Sequence, residues 1–190
     1  MTGPWIRTAS GRRWFLLDPD ARDLVWWDVA EHLAKVNRFT GATPGCAYSV
    51  AQHSCLVADM LPPELQPYGL LHDAHEFCLN DQSSPYKEAM ARLGAGDAIK
   101  ELERRQDQVL YLAAGLLWPP PDRVARAVKQ ADRIALATEA RDLMPPTWSA
   151  AGLPAPLSRT IKPWPWPKAA EQFLDRLGRW CPATRRNAAE

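Results

Sequence analysis

Gly69-Leu70-Leu71-His72-Asp73-Ala74-His75-Glu76 is the stretch on which the reading of this chain turns. Its apolar start predicts a buried helix from about Glu64 or Pro67 to Leu79, carrying His72 and Asp73 side by side. A neutral imidazole and a carboxylate are donors suited to a divalent transition ion. Leaving both in an apolar setting without a partner costs several kcal/mol. A cation between them removes that cost, so a metal is the expected partner.

Helical punctuation continues on both sides. Upstream, Ser49-Val50-Ala51-Gln52 reads as a capping box with Ser49 as N-cap, opening a helix that runs to about Met60 before Pro62-Pro63. His53 falls in its first or second turn near Val50, Leu56 and Val57, on a face expected to turn inward. Downstream, the loop Asn80-Asp81-Gln82-Ser83 leads to a helix with Ser84 as cap and Pro85 at its first position, fading near Gly94. Further helices are expected over 97–117, stopped by Pro119-Pro120-Pro121, and over 122–143, stopped by Pro145-Pro146. Asp132 has Val128, Ala135 and Leu136 as helical neighbours, so its carboxylate points with the apolar stripe. A salt bridge to an arginine is the plain alternative to a cation ligand there.

Toward the ends, residues 5–17 read as a short hairpin turning at Ser10-Gly11, and Asp28 to about Val36 as a helix. A Gly/Pro-rich loop follows from Arg38 to Gly45. Residues 145–167 are rich in proline. Within them Pro163-Trp164-Pro165-Trp166-Pro167 predicts an extended surface strap whose tryptophans plug apolar gaps, with a PxxP ligand as the functional alternative. A last helix over 168–180 leads to a frayed tail. The fold class is therefore mainly α with a short N-terminal β-hairpin.

Length and charge narrow the function. A chain of 190 residues fits one domain. With 23 Lys+Arg against 22 Asp+Glu, bulk charge gives no reason to expect a nucleic-acid polymer or an acidic membrane as partner. No apolar run approaches the roughly 20 residues that span a bilayer, and Met1-Thr2-Gly3-Pro4-Trp5 lacks a signal-peptide pattern. Cys46, Cys55, Cys78 and Cys181 have no CxxC spacing and read as reduced, buried thiols of a cytoplasmic protein. Nine tryptophans are hard to bury in one small subunit, so a homo-oligomer is expected.

The order His53, His72-Asp73, Asp132 resembles that of the HD-domain metal-dependent phosphohydrolases. Wider matches are Arg38-Phe39-Thr40-Gly41, Tyr48 to Ser54, Leu70 to Glu76, Asp81 with Pro85 and Lys87, and Val128 to Asp132. The chain looks like the compact branch of 5′-deoxynucleotidases and phage-type deoxynucleoside triphosphate triphosphohydrolases, over about 14–143. The strap and last helix, 145–180, lie outside the match. The resemblance implies a single HD-domain helical bundle. His53, His72, Asp73 and Asp132 match its metal ligands, for at least one divalent ion per subunit (Zn, Co or Mn, with Mg an option). Glu76 matches the residue that orients or deprotonates the attacking water, and its spacing from His72 and Asp73 puts it on their helical face. Asp81 matches the proton donor to the leaving oxygen, and Arg38 and Lys87 offset phosphate charge. Phe39 is expected to stack on the base or line the sugar pocket, with core packing as the plain alternative, and Gly41 to leave space beside the base.

The implied activity is hydrolysis of (deoxy)nucleotide phosphate esters, releasing the (deoxy)nucleoside, with a lean toward triphosphohydrolase over 5′-deoxynucleotidase. A dinucleotide phosphodiesterase would need more histidine ligands than His32 and His75 supply. A non-catalytic nucleotide-binding module needs neither Glu76 nor Asp81. His75 is expected to be an intrahelical surface residue, His32 structural, and Lys129 a phosphate or supporting group. Trp26 and Trp27 are expected at a base pocket or a subunit contact.

Overall fold

The computed structural model describes residues 3–184, so Met1, Thr2 and the tail beyond Thr184 lie outside it. Strands β1 (Trp5–Arg7) and β2 (Arg13–Phe15) pair antiparallel with Ile6 opposite Trp14. Helices follow as α1 (Trp26–Lys35), α2 (Val50–Asp59), α3 (Gln66–Leu71), α4 (Glu76–Leu79), α5 (Ser84–Arg92), α6 (Gly96–Ala113), α7 (Asp122–Leu143) and α8 (Trp166–Trp180). The protein is mainly helical with a short N-terminal hairpin, as the sequence predicts.

Helix α2 sits at the centre and touches α1, α3, α7 and α8. Every residue from Val50 to Ala58 is buried, the pattern of a helix surrounded by others rather than lying on a surface. Ser49 caps it by accepting from the Gln52 amide at 3.2 Å. One apolar cluster gathers Trp14, Leu33, Leu70, Leu71, Phe77 and Phe173, where each fully buried leucine stabilises the fold by about 1.5–3 kcal/mol. A second joins Leu56 and Val57 of α2 to Val124, Val128 and Ala131 of α7. The hairpin is held by polar bonds. Trp14 Nε1 donates to Gln106 Oε1 at 2.7 Å, and Asp28 accepts from the Ser10 amide and hydroxyl.

Several expected boundaries move. The expected helix over 64–79 is two helices, because α3 ends at Leu71 and a tight turn carries His72 to His75 before α4. Amides of Ala74, Glu76, Phe77 and Cys78 bond carbonyls three residues back rather than four, the narrower winding of a 3₁₀ segment. The cap of α5 is Ser83 rather than Ser84. Helix α6 stops at Ala113 instead of 117, where Gly115 at φ +79° takes the left-handed turn that ends it. Helices α1 and α8 each start two residues early, while α7 matches its expected span.

The strap crosses the surface and is pinned to α2. Gln52 accepts from the Trp164 amide at 2.7 Å and donates to the Lys162 carbonyl at 2.9 Å. Trp164 packs against the core, but Trp166 does not plug a gap. It is exposed, with the Lys35 ammonium 4.3 Å over its ring. Cys46 is only partly buried, unlike the other three cysteines. Among the described residues no helix is long and apolar enough to cross a membrane.

Candidate metal site

His53 on α2 has no exposed surface, and its two ring nitrogens have different company. Nδ1 lies 2.6 Å from Glu139 Oε1 of α7. Nε2 faces His72 Nε2 at 3.3 Å, Asp132 Oδ1 at 3.3 Å and Asp73 Oδ2 at 3.5 Å. His72 Nδ1 is 2.8 Å from the Gly69 carbonyl. A carbonyl only accepts, so that nitrogen carries the hydrogen, and a neutral His72 keeps its Nε2 lone pair. Glu139 imposes the same tautomer on His53, since its carboxyl is held below the ordinary range by Arg38 and His53 against the pull of burial.

Two imidazole lone pairs and the oxygens of Asp73 and Asp132 therefore converge with no donor among them. The ligand atoms of His53, His72 and Asp73 all lie within 4.8 Å of one another. Asp132 Oδ1 stands 4.0 Å from His72 Nε2, and Lys129 pairs with its other oxygen at 2.8 Å. Such a cluster must hold something positive. Without a cation it holds a proton on His53, where burial and Arg38 oppose protonation but Glu139 and Asp132 prevail, pushing the imidazole up to about 9. Asp73 and Asp132 are partly buried, and burial opposes their charge, yet the neighbouring imidazoles keep both carboxyls well below the usual range. Two imidazoles and two carboxylates fit a divalent ion in charge and in donor type.

Arg38 is held at the rim of this cluster. Its amide donates to the Tyr48 carbonyl at 2.9 Å, closing the 38–48 loop. Its guanidinium reaches Glu139 at 3.2 Å and Asp73 at 3.5 Å. Phe39 and Thr40 follow at φ +55° and +52°, a left-handed pair that costs of order 1–3 kcal/mol per residue. Nothing lies within 4 Å of the place a Cβ would take on Gly41.

Glu76 is buried, and its Oε2 has no hydrogen-bond partner. Burial and the charges of Asp73 and Asp81 push its carboxyl up to about 8. Because α3 and α4 are separate, Glu76 reaches Asp73 through the 3₁₀ turn, where its amide bonds the Asp73 carbonyl at 3.1 Å, and not along one continuous helical face. Asp81 is also raised by burial, in part relieved by Arg38 and by the Phe39 amide. Lys87 is tied to Glu103 at 2.7 Å. The α5 amides do not converge with it on an open anion site, since those of Tyr86 and Lys87 already bond Ser83.

His75 is not a surface residue. It is buried, with Nδ1 2.9 Å from Asp107 and Nε2 4.0 Å from Glu103. The reason is the 3₁₀ turn, which carries it away from the face that a regular helix would assign. His32 is structural, bonding the Phe77 carbonyl and the Ala9 amide. Trp26 is buried in the core and Trp27 is exposed.

No family model matches this chain. An uncharacterized protein of Rhodobacter capsulatus is 38% identical over 151 residues, covering 75% of this chain and 74% of its own length. The chain belongs to the same family. So does the uncharacterized protein YfdR of Escherichia coli K12, at 34% identity over 139 residues, covering 73% of this chain and 72% of its own. The partner Glu139 escaped the sequence reading. It lies seven residues after Asp132, two turns along the same stripe, and a carboxylate repeating that position is the signal that marks it.

Proposed function

We propose that this protein is a metal-dependent phosphohydrolase of the HD-domain type, cleaving a (deoxy)nucleotide at the ester oxygen of the nucleoside. The observation that carries the reading is the convergence of His53, His72, Asp73 and Asp132 beside a buried, unpartnered carboxyl at Glu76. A regulatory module needs the first of these but has no use for the second.

A divalent cation held by those four side chains supplies Lewis-acid activation of water and of a phosphoryl oxygen. Glu76 takes a proton from the attacking water as the new oxygen–phosphorus bond forms, a role suited to a group near neutrality. The bond between phosphorus and the nucleoside oxygen breaks, and Asp81, raised by burial, returns a proton to that oxygen. Arg38 offsets phosphate charge through a planar fork already braced by Glu139, and Lys87 joins it on exchanging Glu103 for phosphate. Positioning and electrostatics carry the rate. We favour a deoxynucleoside triphosphate as substrate, with deoxynucleoside and triphosphate as products.

One panel tests this. Purified protein is incubated with deoxynucleoside mono- and triphosphates and their ribose counterparts, with Mn²⁺, Co²⁺ or Zn²⁺, and products are resolved by anion exchange. Free deoxynucleoside is the expected product. Release of pyrophosphate, or no hydrolysis with any of these ions, overturns the reading.

A further inference from the structure

A cleft of about 310 Å³ opens directly onto the cation ligands. Its lining joins His72, Asp73 and Asp132 to Tyr68, Tyr111 and Trp118, with Asp107 and Lys129 also present. The three rings come from α3, α6 and the segment after α6. Tyr111 meets Trp118 edge-on with centroids 5.0 Å apart, and Tyr68 lies 5.9 Å from Tyr111. The Tyr68 hydroxyl accepts from the Leu117 amide at 3.2 Å, which ties the Trp118 segment to α3. Trp118 remains only partly buried beside a concentration of charge.

Apart from the tyrosine hydroxyls, the Trp118 indole N–H and Lys129, this wall offers a phosphate mainly apolar ring surface, where it loses hydration. It is well matched to a flat aromatic group, which ring faces and edges attract at centroid separations of 4.5–7 Å. The volume lies at the small end of ligand cavities, suited to one such group. Phe39, the sequence's candidate for base stacking, is not among the residues lining this cleft. Its ring meets Trp148 edge-on at 6.2 Å, and the Arg38 guanidinium lies 5.5 Å from its centre.

We propose that the Tyr68–Tyr111–Trp118 cleft is the nucleobase subsite, and that it, rather than Phe39, sets the preference for a nucleotide over a bare sugar phosphate. This inference rests on the nucleotide reading above and deepens it.

The test compares calorimetric binding of slowly hydrolysed deoxynucleoside 5′-phosphorothioates with that of deoxyribose 5-phosphorothioate, on Mn²⁺-loaded wild type, Trp118→Leu and Phe39→Leu. Trp118 is only partly buried, so leucine keeps the fold, and an unchanged thermal midpoint checks this. Tyr68→Phe, which deletes only the hydroxyl, serves as a second variant. The nucleotide is expected to bind wild type and Phe39→Leu at least tenfold more tightly than the sugar phosphate. That preference should fall below threefold in Trp118→Leu and weaken in Tyr68→Phe. Preference surviving in Trp118→Leu, or lost in Phe39→Leu instead, overturns the subsite. Phosphate release from ordinary nucleotides is measured separately. A Trp118-dependent preference without turnover keeps the subsite and removes the hydrolase. Turnover without that dependence does the reverse.

Discussion

At the scale of single residues, the site is governed by which atoms carry protons. Glu139 and the Gly69 carbonyl each occupy an Nδ1, so both histidines aim Nε2 at one point. Glu76 makes the most direct case for chemistry, because a buried carboxyl oxygen without a hydrogen-bond partner costs stability. Glu76→Gln is expected to retain the cation while losing about 100-fold or more in turnover. Near-wild-type rates at saturating substrate would remove it from the mechanism. The same variant has a stability signature in cation-free protein. The folded carboxyl titrates at about 8 against an ordinary 4.5, so between those values the folded state binds the proton that the unfolded state has lost. Wild-type stability should therefore fall relative to Glu76→Gln as pH rises from 5 to 8. Denaturant titrations at the two pH values measure it, and a constant difference would contradict the burial argument.

At the scale of elements, the gathering of His53 and His72 depends on how closely α3 approaches α2. Gly69 makes that approach possible. A Cβ there would stand 2.5 Å from Leu61 Cδ1 and 3.0 Å from the Ala58 backbone. Leucine can turn aside, but the α2 backbone cannot. Gly69→Ala is therefore expected to push α3 outward, costing about 1–3 kcal/mol of stability. Because the Gly69 carbonyl holds His72, cation affinity should fall with it. Thermal unfolding and a Mn²⁺ titration report the two effects, and an affinity unchanged in a destabilised protein would uncouple the helix contact from the site. Helix boundaries were legible where the cap or proline sits at the boundary itself, as at Ser49 and before Pro145, and less so at Ser84 or ahead of Pro119. The break at His72–His75 was not, since no glycine or proline announces it and the apolar pattern runs through. That break decides where His75 goes. It also decides how Glu76 meets Asp73.

At the scale of the whole molecule, a cation bound by residues of α2, the α3–α4 turn and α7 acts as a cross-link that only the folded state can offer. At a free concentration 100 times its dissociation constant, one ion should stabilise the protein by about 2.7 kcal/mol. Asp73→Ala should show no such shift. In wild type the shift should grow from pH 6 to pH 8, because the ion displaces a proton from His53, whose imidazole otherwise holds it up to about 9. A shift equal in Asp73→Ala, or one that shrinks with rising pH, would place the ion elsewhere.

From the sequence alone came the mainly helical class, the hairpin, and the four polar side chains His53, His72, Asp73 and Asp132 that the fold brings together, because apolar periodicity shows which faces turn inward and which polar groups are stranded on them. Glu139 as the carboxylate behind His53, the buried His75 with Asp107, the aromatic cleft and the hold of Glu103 on Lys87 emerged only from the tertiary structure. The physical reason is range. Periodicity reports a side chain's relation to its own helix, whereas a proton's position depends on the atom facing it, 86 residues away in the case of His53 and Glu139.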